Sequence, residues 1–191
     1  MTFRGGASFA LVAGLLLNYS ACSRREPLGE FNLIPPFELV DQTGAPFSSV
    51  AQLAGKVWIA DFVFTNCNGP CPRMGSQMRQ VQKALAGVQD VRLVSFTVDP
   101  ARDTPNVLAA YAQRYSAQPG RWYFLTGSPA TLNALSLDAF MLSRLTTQLD
   151  HSTRFVLVDR RGRVRKYYDT TEAGSIDALI ADARDLVRAM P

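Results

Sequence analysis

Cysteine is scarce in this chain. Of 191 residues only Cys22, Cys67 and Cys71 are cysteines, too few for a fold stapled by disulfides. Histidine is scarcer still. His151 stands alone, and with no evident fourth ligand a closed four-ligand zinc site has little basis. Concentrated charge is also missing. The net charge of +4 arises from 20 basic and 16 acidic residues that are interspersed, with no basic block and no aromatic-basic interleaving. That distribution argues against a nucleic-acid partner. No internal repeat, low-complexity tract or second domain is visible, and no proline occurs between Pro129 and Pro191. Long apolar runs are lacking as well. The run over residues 7–17 is short for a membrane-spanning helix.

What is present first reads as an export leader. Arg4 supplies a positive start, residues 7–17 supply the apolar stretch, and small residues follow at Ser20-Ala21 before Cys22. Ser20-Ala21-Cys22 resembles a bacterial lipobox, with Tyr19 where leucine is usual, and marks Cys22 for lipidation. An uncleaved anchor, followed by Arg24 and Arg25, is the alternative. Either way the domain is expected on the extracytoplasmic, periplasmic side, tied to the membrane through its N-terminus. The expected organisation is a leader over 1–22, a polar and then proline-bearing tether over 23–36, and a folded domain over 37–191. The chain is 47% hydrophobic, enough to bury one core of that size.

Within the domain the apolar pattern alternates between two kinds of segment. Residues 37–47 have short strand character around a glycine turn. Residues 57–65 (VWIADFVFT) are β-branched, aromatic and nearly continuous, the signature of a strand buried on both faces. Pro72 opens a helical pattern in which Met74, Met78, Val81 and Leu85 recur, and Gly87 closes it. Residues 91–98 predict a second central strand. Thr104 and Pro105 predict the cap and first position of a helix carrying Val107, Leu108, Tyr111 and Tyr115. A short strand over 122–125, a helix from Ser128-Pro129, a hairpin over 154–168 around Gly162, and an amphipathic helix over 175–190 complete the series. This order predicts an α/β fold: a central mixed sheet flanked by helices, with an N-terminal strand or hairpin extension. A strand that runs straight into a cysteine pair at a helix start is the thioredoxin-like arrangement.

The cysteine pair and the histidine carry the chemistry. Cys67 and Cys71 lie in Phe64-Thr-Asn-Cys-Asn-Gly-Pro-Cys-Pro72, and His151 lies far downstream, just before a predicted strand. Thioredoxin-type redox pairs have two intervening residues, whereas three stand between these cysteines. Gly69 and Pro70 shape the wider loop, and the helix start is expected to favour both thiolates. Two sulfurs and one imidazole form a soft set suited to copper(I), and the thiols remain close enough for redox chemistry. In thioredoxins a cis-proline faces the cysteines. Here the corresponding neighbourhood offers Asp150-His151-Ser152, with Asp150 as a candidate partner for the imidazole. Met74 and Met78 read as core residues at helical spacing rather than as soft ligands. Asp99 and Asp103 lie in a turn at the end of a central strand. Turn formation and helix capping account for Asp103, Thr104 and Pro105 without a catalytic role.

Several blocks occur together in a recognisable order: Asp61-Phe-Val-Phe-Thr-Asn-Cys67, Cys67-x-x-x-Cys71-Pro72, Val98-Asp-Pro-Ala-Arg-Asp-Thr-Pro105, Trp122-Tyr-Phe-Leu-Thr-Gly127, and Asp150-His-Ser ahead of Val156-Leu-Val-Asp159. In these blocks the chain resembles the Sco/SenC family, thioredoxin-fold copper proteins tethered to membranes that assist assembly of cytochrome c oxidase. The resemblance implies copper as the bound ion, as Cu(I), Cu(II) or both, with Cys67, Cys71 and His151 as ligands. It implies as partners the copper-receiving subunit of a respiratory oxidase and a copper donor protein. The family usually has proline after the first cysteine and often an acidic residue in the loop, where this chain has Asn68-Gly69-Pro70.

A reading of a different class remains open. An exported thioredoxin-like thiol–disulfide oxidoreductase would use Cys67 as the attacking thiolate and Cys71 as the resolving thiol, and would not need His151. No Pro-x-x-x-(Thr/Ser)-x-x-Cys pattern ends at Cys67, which counts against a peroxidase of the peroxiredoxin class.

Overall fold

The computed structural model describes residues 1–2, 28–142 and 152–189. The chain runs through β1 (Glu38–Asp41), β2 (Pro46–Ser48), α1 (Ser49–Leu53), β3 (Val57–Val63), α2 (Cys71–Ala84), β4 (Val91–Thr97), α3 (Pro105–Arg114) and β5 (Trp122–Thr126). It continues through α4 (Pro129–Ala134), a π-helical turn (Leu135–Ala139), β6 (Arg154–Val158), β7 (Val164–Asp169) and α5 (Ser175–Arg188). The strands form one seven-stranded mixed sheet in the order β2-β1-β5-β4-β3-β6-β7. β3, β4 and β5 run parallel, while β1 pairs antiparallel with β5, β6 with β3, and β7 with β6. The α/β architecture expected from the alternating pattern is therefore the one found.

The continuous apolar run of β3 has a direct consequence. Every residue of that strand is buried, because it lies between β4 and β6 with helices on both faces. On one face Phe62, Phe96 and Phe140 cluster, with ring centroids 5.0 to 5.5 Å apart, and Trp58 packs edge-on against Phe140. On the other face Trp122 stacks on Phe124, and Tyr111 and Tyr115 of the α3 region close over them. Burying side chains of this size on both faces supplies the main driving force for folding.

Local signals set most helix starts. Pro105 occupies the first turn of α3, and the Ser128 hydroxyl accepts the Thr131 amide at the start of α4. Two pieces carry no periodic signal in the sequence. α1 is too short for an apolar stripe to show, and the π-helical turn extends α4 until Phe140 enters the core. Residues 31–34 pair with the β6–β7 hairpin through the Phe31 amide to Val164, the Val164 amide to Asn32, and the Ile34 amide to Gly162.

Candidate metal and dithiol site

β3 delivers the chain to the C-terminal edge of the parallel strands, the edge at which sites form in open α/β sheets. The chain leaves β3 after Val63 and enters α2 at Cys71. Pro70 already has helical dihedrals and its carbonyl accepts the Met74 amide, so the helix is wound before the second cysteine. Gly69 does not occupy the left-handed region, and a Cβ there would sit 4.0 Å from the Cys67 sulfur. The loop therefore does not demand glycine on conformational grounds, contrary to the role expected for it.

The two sulfurs are brought together. Cys67 is 7% exposed and Cys71 is fully buried, and no disulfide joins them. The Cys71 backbone N–H donates to Cys67 Sγ over 3.4 Å, so a donor at the helix start points at the outer sulfur. This is an arrangement that receives a thiolate or a thiolate bound to a soft cation.

The expectation that the helix start favours both thiolates fails for Cys71. Burial pushes its thiol well above the usual range, and the Cys67 side chain and Asp61 add to the shift while the Phe64 backbone opposes it. A helix dipole at an exposed end is worth only about 0.3–1 kcal/mol, and complete removal from water outweighs it.

Two further polar groups, assigned a role by no motif, lie inside the same layer. Asp61 is 1% exposed in the middle of β3, opposite Ser95 of β4, and no hydrogen bond of good geometry reaches either carboxylate oxygen. Burial pushes its carboxyl up to about 7, against a smaller opposing effect of Ser95. Ser95 in turn accepts the Trp122 indole N–H at 2.9 Å. The Tyr111 hydroxyl is likewise buried, with Tyr115 as its polar neighbour, and burial, reinforced by Tyr115, pushes it upward. A lone acid within an otherwise apolar strand was the sequence signal for Asp61. Gly75 is a third residue of this layer that no sequence motif marks. A Cβ there would meet the Tyr115 ring at 2.4 Å, so this glycine is what lets Tyr115 lie against α2 one turn beyond Cys71.

Met74 and Met78 are fully buried in the core, as their spacing predicts. Cys22, Asp150 and His151 lie outside the described residues. β6 begins at Arg154 and runs antiparallel to β3, so its first residues are level with the end of β3 that leads to the cysteine loop. Among the described residues no group of three or more His, Cys, Asp or Glu side chains is placed to hold a metal ion. Among them, too, no helix is long and apolar enough to cross a membrane.

Comparison with known proteins gives a consistent result. A model of the SCO1/SenC family matches residues 25–188. The SCO1 protein homolog of Bacillus subtilis (strain 168) is 35% identical over 182 residues, covering 91% of this chain and 94% of that protein. The structure of BsSco, described as a disulfide-switch member of the Sco family of cytochrome c oxidase assembly proteins, is similar with a TM-score of 0.74. It is 35% identical, over 86% of this chain and 98% of the other. The copper-bound structure of Bradyrhizobium japonicum ScoI is similar with a TM-score of 0.65 and 25% identity, over 81% of this chain and 99% of the other.

Proposed function

Because the chain belongs to the SCO1/SenC family, we propose that it is a copper chaperone serving assembly of the dinuclear copper centre of cytochrome c oxidase. The observation that carries this reading is the meeting of Cys67 and Cys71 at the start of α2, with an N–H aimed at the outer sulfur. Solved family members with copper bound support copper as the cargo.

In this reading Cys67 and Cys71 bind one copper ion as thiolates, and His151 completes the set with an imidazole nitrogen. Loading copper(I) releases a proton from each thiol, and the buried Cys71 is the costlier of the two to deprotonate. Delivery then proceeds by ligand exchange. A client thiolate displaces one protein sulfur at a time, beginning at the more exposed Cys67, so the ion is never released into water. A lipid on Cys22, added once the leader is cleaved, holds the domain on the periplasmic side of the membrane, where the copper-receiving oxidase subunit and a copper donor are met.

A second reading draws on the same asymmetry between the cysteines. As a thiol–disulfide reductase, the Cys67 thiolate, the more accessible of the two, attacks a client disulfide and expels one client thiolate. Cys71, once deprotonated, then attacks Cys67 and expels the other. Two electrons pass to the client, and the protein is left with a Cys67–Cys71 disulfide.

Anaerobic titration of the reduced protein with copper(I), followed by X-ray absorption, tests the leading reading. One ion held by two sulfurs and one nitrogen is expected, and Cys67→Ser is expected to abolish binding. A protein that reduces disulfides but does not retain copper(I) would leave only the reductase.

A further inference from the structure

Asp103 follows a turn that needs no carboxylate to close it. The Asp103 and Arg102 amides both donate to the Asp99 carbonyl, at 2.9 and 3.1 Å. Thr104 caps α3 through its extended backbone, without a side-chain cap bond. The Asp103 carboxylate, 1% exposed, turns away from the helix toward the cysteine loop. One oxygen accepts the Thr65 hydroxyl at 2.5 Å, and the other accepts the Thr97 hydroxyl at 2.5 Å and the Thr65 amide at 3.2 Å. The Thr97 hydroxyl also accepts the Asp99 amide at 2.9 Å, so the turn is tied to the end of β4 from both sides.

The location of these bonds gives them their meaning. The register between β3 and β4 ends at the Val63–Thr97 pair, followed by one more bond from the Val98 amide to the Val63 carbonyl. Thr65, just beyond this end, is anchored on Asp103, and it stands two positions before Cys67. On the far side of the loop, α2 fixes Cys71. The position of the outer sulfur relative to the inner one is therefore set by α2 from downstream and by Asp103 from upstream. A carboxylate suits the task, because its two oxygens together take all three donors.

We propose that Asp103 is a positioning residue of the dithiol site: by clamping Thr65 to the end of β4 it sets the aim of the Cys67 sulfur toward Cys71 and toward a soft metal ion. The inference rests on the reading of Cys67 and Cys71 as the working thiols. It gives a role in the site to a residue that touches neither sulfur. Sites of this kind lose function when their ligands move by about 0.5 Å.

The test compares the full-length protein with Asp103→Asn, Thr65→Val, Thr97→Val and Tyr168→Phe. Each is read by thermal midpoint, by copper(I) affinity against a chromophoric chelator, and by the copper-free midpoint potential of the dithiol in defined thiol–disulfide buffers. Thr65→Val and Thr97→Val each remove one short bond to the same carboxylate. Asp103→Asn and Thr65→Val are expected to weaken copper(I) binding roughly tenfold and to shift the dithiol potential. Thr97→Val loosens the carboxylate's own tie to β4 and is expected to shift both site readouts in the same direction, whereas the control, Tyr168→Phe, which removes a buried hydroxyl bond to Asp182 away from the loop, is expected to lower the thermal midpoint alone. Where Asp103→Asn does not fold, the two threonine variants decide. Unchanged affinity and potential in folded Thr65→Val overturn the proposal, as do equal shifts in Thr65→Val and Tyr168→Phe that merely track stability. Failure of the wild type to bind copper(I) would instead remove the chaperone reading, and the dithiol potential would still report on the clamp.

Discussion

The backbone N–H of Cys71 points at the sulfur of Cys67 over 3.4 Å. One cysteine thus supplies both a buried thiol and, through its amide, a donor to the other cysteine's sulfur. The pair is unequal by construction, with an outer sulfur at the rim of the sheet and an inner one sealed beneath α2. That inequality serves either proposed chemistry, because both begin at the outer sulfur and finish at the inner one.

His151→Ala separates the two functions. Copper(I) affinity is expected to fall by about tenfold or more, since a soft three-ligand site loses its only nitrogen. The rate at which the dithiol reduces a model disulfide is expected to stay near wild type. Chelator competition and a disulfide-exchange assay on the same preparation check this. Unchanged affinity would remove His151 from the ligand set.

Asp61 links stability to pH in an unusual direction. Its carboxyl has a folded-state value of about 7, above the ordinary 3.8, so between those values the folded state holds a proton that the unfolded chain has lost. Stability from this group is present below about pH 4 and is lost as pH rises through 7, a penalty of up to about 4 kcal/mol. Asp61→Asn is expected to raise stability at pH 8 and to change it little at pH 4. Urea unfolding at the two pH values measures the difference, and an equal effect at both would show that Asp61 is ionised in the fold throughout.

Gly75→Ala sets two effects against each other. Alanine gains about 1 kcal/mol of helix propensity over glycine. The added methyl group, however, would lie 2.4 Å from the Tyr115 ring in a packed layer. Overpacking of that kind costs about 1–3 kcal/mol, so net destabilisation is expected in chemical denaturation. A more stable variant would show that Tyr115 can move aside freely.

Cys22→Ser addresses the anchor. If Cys22 carries a lipid, the variant is expected to leave the membrane fraction on cell fractionation while still folding. Retention in membranes would favour an uncleaved leader as the attachment.

Much of the fold was legible because its signals are local. The nine-residue apolar run around Asp61 announced a central strand, and Pro105 and Ser128 marked helix starts through their own backbone chemistry. The pairing of Cys67 with Cys71 was equally legible, being a matter of short spacing next to a strand and a helix. α1 and the π-helical turn were not legible, because packing against the core rather than periodicity holds such short pieces.

Which atoms are available follows from residue order alone: two neighbouring thiols, one imidazole, and the alternation of strand and helix that places the thiols at a sheet edge. How those atoms behave depends on what the folded chain packs around them. Whether a thiol at a helix start is eased or hindered in ionising depends on the water left around it, and the layer over Cys71 leaves none. That Asp103 serves the cysteine loop rather than its own helix depends on the far end of β4 arriving beside Thr65, a contact between residues 38 positions apart that no local pattern encodes.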